Sequence, residues 1–318
     1  MRRKSRLLAA LASVLALTVV PLITAGPAAA ADPIGLTDGF YVNPNSSPAT
    51  WARNNPGDSR AARIQSSIGS RPIGRWFGNE SGSSTIASYV GAADSHNKLP
   101  VLVAYNIPGR DACGGHSGGG AGSVGAYRTW IATFAAAVGD KPAVVVIEPD
   151  ALGDFSCMSQ TQIDERIGML KYATEQFKAK APNTYAYLDG GNAGWVAAST
   201  MASRLNAAGV RNVRGFSVNV SNYYTTGASV SYANSVNNSL GYAAKFVVDT
   251  SRNGNGNNGE WCNPAGRKLG TPPQVGGGAE MLLWVKTPGN SDGECGIAPT
   301  VPAGQFSPAI AVRLIDGT

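Results

Sequence analysis

The sequence predicts an α/β protein built on a parallel sheet, and three observations carry that prediction. Seven short apolar runs recur along the 318 residues, most of them are separated by stretches with helical spacing, and each run ends in a polar or aromatic group. Alternating β and α units imply parallel strands joined by right-handed crossovers. At this length a closed or nearly closed barrel and an open doubly wound sheet both fit.

The expected strands are 72–77, 100–105, 143–147, 184–188, 215–220, 245–249 and 281–285. The third is the most telling. Ala143 is followed by three Val and Ile147, a fully buried strand by composition, and then by Glu148-Pro149-Asp150. The Pro ends pairing and leaves two carboxyls at a strand end. Alone, Asp150 fits a helix cap as well as a catalytic acid. Between the strands, 84–95, 124–138, 162–180, 197–208 and 230–244 carry apolar residues at helical spacing.

Residues 1–31 read as a secretion signal peptide, and 32–318 as a single catalytic domain. Arg2, Arg3, Lys4 and Arg6 precede an apolar stretch, and Ala28 to Ala31 offer small-residue cleavage sites. That segment holds four of the 26 basic residues and none of the 20 acids, so the remainder carries 22 against 20, a net +2. The basic balance therefore belongs to the signal and predicts no nucleic-acid partner. No further long apolar segment suggests a membrane, and the product is expected to be a secreted, extracellular monomer.

Four cysteines in an exported chain suggest two disulfides, with three possible pairings. Each lies shortly after an expected strand, which favours Cys113 with Cys157 and Cys262 with Cys295. A metal site is the poorer reading, because only His96 and His116 could contribute and the spacing is wrong. No cofactor is expected either. Two G-x-G-x-x-G matches, at 120–125 and 254–259, lack the strand–turn–helix context of a dinucleotide site. Gly115-His116-Ser117-Gly118-Gly119 fits a nucleophile elbow, but no His follows His116 to serve it.

Carboxylates are then the plentiful acid/base groups. The strand ends deliver Trp76, Tyr105, Asp150, Asp189, Asn222, Asp249 and Lys286 to one rim, where the site of a barrel is expected. Arg110 and Asp111 leave the second strand through a Pro-Gly turn, and Asp292 follows the last. Two carboxyls around a glycosidic bond are what its hydrolysis needs, and Asp111 close to Asp150 would keep the latter protonated. Trp76, Trp195 and Trp261 follow strand ends and suit stacking on sugar rings, whereas Trp130 and Trp284 fall within apolar patterns and suit the core.

Several segments together resemble glycoside hydrolase family 6, the inverting cellulases. They are Tyr105-Asn-Ile-Pro-Gly-Arg-Asp111, Ile147-Glu-Pro-Asp150, Leu188-Asp-Gly-Gly-Asn-Ala-Gly-Trp195, Asn219-Val-Ser-Asn-Tyr223, Asp249-Thr-Ser-Arg-Asn-Gly254, Glu260-Trp-Cys262 and the stretch from Leu283 to Gly293. The resemblance implies a distorted seven-stranded (β/α) barrel with an open cleft at the C-terminal strand ends. It implies inverting hydrolysis of β-1,4-glucan, with cellulose or cello-oligosaccharides as partner. By the same likeness Asp150 is the general acid and Asp111 the acid that keeps it protonated. Tyr105 lies beneath the distorted sugar, and Asp292 matches the acid proposed as base, a role that a water relay could also fill. Arg110, Asp189 and Lys286 match supporting and sugar-binding positions, the three rim Trp residues match stacking platforms, and the cysteines fit the two disulfides. Ser117 is the candidate for holding the water. Asn192 stands where the family commonly has His, and Asn290 where it commonly has Glu; both are expected to keep substrate contact. The short stretch from Asp292 to Gln305 implies an open cleft and endo action, with an exo-acting cellobiohydrolase or a weakly catalytic glycan-binding protein as alternatives.

Overall fold

The computed structural model describes residues 32–114 and 118–318. Residues 1–31, expected from sequence to be a signal peptide, and Ser117 lie outside the described residues. The β-branched and apolar runs form the strands expected of them. These are β1 (Arg75–Phe77), β2 (Val101–Ala104), β3 (Ala143–Ile147), β4 (Thr184–Asp189), β5 (Gly215–Val218) and β6 (Lys245–Asp249). A two-residue strand β7 (Gln274–Val275) and then β8 (Met281–Leu283) complete the set. The sheet order is β1-β2-β3-β4-β5-β6-β8-β7, all neighbours parallel except the antiparallel β7–β8 pair. Eight strands replace the expected seven; the extra one is too short and too polar to register as an apolar run.

Curling brings the two edges together without a ladder. Gly74, just before β1, donates its N–H to the Trp284 carbonyl (2.8 Å), and the Trp76 indole donates to Val285 O (2.9 Å). Gly74 must lack a side chain here, since a Cβ would fall 2.7 Å from Val285 O. The architecture is thus a barrel closed by a seam at one edge, with β7 filling the free side of β8 below that seam.

Strand alternation sorts the core into two layers. Val101, Val103, Val144, Val146, Tyr187, Val247, Met281 and Leu283 fill the barrel interior. Their neighbours Leu102, Val145, Ile147, Leu188, Phe216, Val218 and Val248 face outward, where they pack against the helices. Those helices are α3 (Ser83–Asp94), α4 (Val124–Val138), α5 (Gln160–Lys180), α6 (Ala198–Ala207) and α7 (Thr226–Leu240), following α1 (Ser47–Asn54) and α2 (Ala61–Ile64). The start of α5 carries a capping box between Ser159 and Gln162, two residues earlier than the periodicity suggests. A final helix, α8 (Pro308–Asp316), is capped by Ser307. With Ile64, Ile68 and Ile73 it buries Trp284 in a third, smaller cluster.

Both expected disulfides are present, Cys113–Cys157 joining the loops after β2 and β3 and Cys262–Cys295 joining those after β6 and β8. Each closes a loop over the C-terminal face and stabilises by about 3–4 kcal/mol in the chain-entropy account.

Truncating a fully buried interior residue should expose how tightly this barrel is packed. We expect Leu283→Ala to lower unfolding stability by about 2–5 kcal/mol, read as a lower denaturant midpoint at unchanged slope.

Candidate active site

The last interior layer of the barrel is polar. Continuing the inward alternation, Asp189, Ser217 and Asp249 occupy positions that lower in the barrel hold Tyr187, Gly215 and Val247. Buried carboxyls there must find donors, and they find main-chain ones. Asp189 Oδ2 accepts from the amides of Asp150 (2.9 Å) and Gly191 (3.2 Å), and its Oδ1 accepts from the Ser217 hydroxyl (3.1 Å). Asp249 accepts from the amides of Ser221, Ser251, Val285 and Lys286 at 2.9–3.2 Å. Each carboxylate therefore ties its own strand end to the loops of its neighbours.

These loops carry unusual backbone. Asp111, Glu148, Asp150, Asn219, Ser221 and Asn263 all take positive φ, and all lie in segments following strands. Such conformations are disfavoured for residues with a Cβ and persist only where surrounding contacts over-determine them.

Asp150 sits half-buried amid four charged groups, Asp111, Asp189, Lys286 and Asp292. Burial pushes its carboxyl well up, the negative charges of Asp189, Asp111 and Asp292 push the same way, and Lys286 opposes them. Asp189 is pushed up by burial as well, against the hydrogen bonds it accepts. A carboxyl so placed keeps its proton near neutrality and can give it to a leaving oxygen.

Asp292 has the opposite environment. Its Oδ2 accepts from Arg252 Nη1 (2.8 Å), Tyr223 OH (3.0 Å) and the Asn263 amide (3.1 Å), while Lys286 Nζ lies 3.0 Å from Oδ1. Burial pushes this carboxyl up, but Arg252 and Lys286 outweigh it and hold it far below the usual range. The group is a fixed negative charge, a weak base and a strong organiser of the cations around it.

The aromatic residues divide by exposure. Tyr105 is half-buried, with Trp76 edge-on at 5.0 Å and the Arg110 guanidinium 4.5 Å from its ring centre. Arg110 also donates to Tyr105 O (2.9 Å). Trp195 and Trp261 stay 40% and 46% exposed, large apolar faces left open to a ligand. The ring of Trp195 lies on Gly153, three residues beyond Asp150, where a Cβ would fall 2.1 Å from the indole. Trp130 and Trp284 pack as expected, the first against the helical layer and the second in the small cluster.

The remaining sequence-predicted residues serve the loops. Asn192 is buried and its Oδ1 accepts from the Gly194 amide (3.0 Å), bracing the turn that presents Trp195. The Asn222 amide donates to Asn219 O (3.0 Å), closing the turn after β5. Asn290 buries its Oδ1 without a partner among the described residues. His96 lies on the surface with its ring against Ala92 O, away from this rim. Arg252, Tyr223 and Asn263 were not singled out from sequence as partners of Asp292; position just past a strand end is a signal that could have flagged Arg252.

The glycosyl hydrolases family 6 profile matches residues 36–318. The chain belongs to that family. It is 56% identical over 325 aligned residues to Endoglucanase 1 of Streptomyces halstedii, covering 100% of both chains. Endoglucanase A of Thermobispora bispora is 43% identical over 285 residues, covering 86% of this chain and 61% of that longer protein. Among solved structures, the endoglucanase Cel6 of Mycobacterium tuberculosis, in complex with a methyl-cellobiosyl-4-deoxy-4-thio-β-D-cellobioside, superimposes with a TM-score of 0.83 at 38% identity. The match covers 90% of this chain and 99% of that one. The fold of this glycosyl hydrolase is thus the family's fold. No helix among the described residues is long and apolar enough to cross a membrane.

Two outcomes test the electrostatics. Asp189→Asn removes a negative neighbour and should move the alkaline limb of hydrolytic activity to lower pH, whereas Lys286→Met removes the opposing cation and should move it higher. Equal shifts of one sign would contradict the assignment of that limb to Asp150. A third concerns packing: Gly153→Ala should displace Trp195, shift its fluorescence and raise KM by roughly fivefold, the loss of about 1 kcal/mol of aromatic contact.

Proposed function

We propose that the protein is an endo-acting, inverting β-1,4-glucanase that cuts internal bonds of cellulose chains without metal or cofactor. The observation that carries this reading is the opposed treatment of two carboxyls, Asp150 kept protonated and Asp292 kept charged, within one constellation. In this reading Asp150 protonates the glycosidic oxygen as the bond breaks. Asp111 contributes negative charge that helps keep that proton in place. Positive charge developing on the sugar is met by Asp292. A carboxylate already saturated by Arg252, Lys286, Tyr223 and Asn263 is too weak a base to take a proton directly, so the attacking water passes its proton onward through solvent. Tyr105 with Arg110 floors the site, and Trp76, Trp195 and Trp261 offer faces to successive sugar rings.

The endo assignment rests on the loop after β8. Ser291 N–H donates to Gln305 O and Gly304 N–H donates back to Ser291 O, both at 2.9 Å, while the Ser291 hydroxyl donates to Val301 O (2.9 Å). Cys295 is tied to Cys262. The loop folds compactly onto its own base and returns to α8, which favours an open cleft able to admit a chain at any point. The names of the three relatives given above, all endoglucanases at 38–56% identity, support the same reading. In this reading Asn222 and Asn290 flank the sugar positions, Ser117 is retained from the sequence as the candidate for holding the water, and the enzyme acts as an exported monomer after removal of residues 1–31.

The test uses soluble carboxymethyl-cellulose and cello-oligosaccharides. The enzyme should thin the polymer far faster than it releases reducing ends, and the first-formed anomer from a cello-oligosaccharide should be α. Asp150→Ala should lower kcat by about 10²–10⁴-fold. A β first product, or slow thinning with steady release of cellobiose, would overturn the inverting or the endo assignment respectively.

A further inference from the structure

The turn from Tyr105 to Asp111 carries three of the site's groups, and its shape is imposed from beneath by two buried groups, a carboxyl that accepts and a guanidinium that donates. Glu148, 1% exposed at the end of β3, accepts from the Asn106 amide through both oxygens (3.1 and 2.9 Å) and from the Ile107 amide (2.9 Å). Arg166, 4% exposed on α5, donates Nη2 to the carbonyls of Gly109 (2.5 Å) and Pro108 (3.5 Å). Four consecutive residues of the turn are therefore gripped, two by their donors and two by their acceptors. From the other side, Ala121 N–H donates to Asn106 O (2.8 Å), and Gly120 passes so close that a Cβ would fall 2.0 Å from Ile107 O.

We propose that Glu148 and Arg166 act together as a buried clamp, positioning residues that set Tyr105, Arg110 and Asp111 against Asp150 during hydrolysis. This deepens the glucanase reading and rests on it. Neither residue touches the cleft, so each acts through the turn. A purely structural role explains the arrangement poorly. Glu148 takes a positive φ (50°), which is disfavoured for a side-chain-bearing residue. Arg166 Nε and both polar atoms of the Asn106 side chain are buried without a partner among the described residues, which destabilises rather than stabilises the fold. What the two side chains add is direction: accepting carboxyl oxygens select N–H groups and a guanidinium selects carbonyls, so the peptide units of the turn are held against flipping.

The groups facing Glu148 are the Asn106 and Ile107 amides, Arg110 on the turn, Tyr127 on α4 and Arg166 on α5. Burial pushes the Glu148 carboxyl up to about 8 against the two amides and Arg110. It also pushes the Tyr127 phenol up, with the nearby carboxylate adding to the effect. Arg166 is lowered by burial and supported by the Glu148 charge, so the two jaws of the clamp depend on each other.

The full-length variants Glu148→Gln, Arg166→Met, Arg166→Lys and the Gln/Met double variant test this on a soluble cello-oligosaccharide. Each of Glu148→Gln and Arg166→Met should lower kcat at least tenfold with KM within threefold. The double variant should fall no further than the worse single one, because losing either jaw already frees the turn. Arg166→Lys should recover part of kcat. Amide exchange at Asn106 and Ile107, measured without substrate, should quicken at least tenfold in Glu148→Gln while β3 and α4 stay protected. Wild-type kcat and exchange in folded single variants, or losses that multiply in the double variant, would overturn the clamp. Should Glu148→Gln fail to fold, the two Arg166 variants decide alone, with the same outcomes. Since exchange is read without turnover, a wild-type protein inactive on glucan would count against the glucanase reading and not against the clamp.

Discussion

Carboxylates buried at strand ends, each accepting main-chain N–H groups from neighbouring loops, are the constraint on which the rest of this molecule depends. Glu148 at the end of β3 holds the turn after β2, and Asp189 at the end of β4 holds the segment after β3. Asp249 at the end of β6 holds the loops after β5 and β8. A strand end ordinarily leaves backbone donors to water. Here they converge on carboxyl oxygens inside the barrel mouth, where a buried acceptor left unpaired would be costly. The disfavoured backbone at Glu148, Asp150, Asn219 and Ser221 is sustained by this set of ties. Rigid loops result without any long loop structure of their own.

The same burial that makes these ties strong also divides the acids by role. Among the described residues Asp150 has like charges about it, which together with burial push its carboxyl up against one opposing amine. Asp292 lies less than 4 Å from two cations, which hold its carboxyl well below the usual range. Lys286 belongs to both environments, and its own amide is tied to Asp249, so one buried anion fixes the cation that balances the other two acids. The cleft therefore holds a proton donor and a fixed charge whose states differ strongly at one pH. That difference is what acid-assisted cleavage of a glycosidic bond requires.

Much of this was legible in the sequence, for physical reasons. The strand Ala143–Ile147 and the helix Val124–Val138 form over the residues that composition and periodicity predict, because both are buried along their whole apolar face. Strand ends marked the rim, and so Asp150, Asp189, Asp292, Lys286 and Tyr105 were found. Short elements escaped: α1, α2, α8 and β7 are fixed by tertiary contact with Trp284, Ile64 and β8 rather than by local pattern. Partnership escaped too. Nothing in the linear order of Arg252 and Asp292 reveals a contact across 40 residues, and nothing beside Asp150 in sequence shows that Glu148 faces the turn after β2. Asn192, expected at the sugar, is turned inward on its own loop.

The most direct test is a carboxyl ¹³C NMR titration of the intact protein with the aspartates labelled. The account predicts that Asp150 remains protonated well above the ordinary carboxylate value of about 3.9, while Asp292 remains ionised well below it. Asp150 titrating near about 4, or Asp292 gaining its proton there, would contradict the division of roles that the structure imposes.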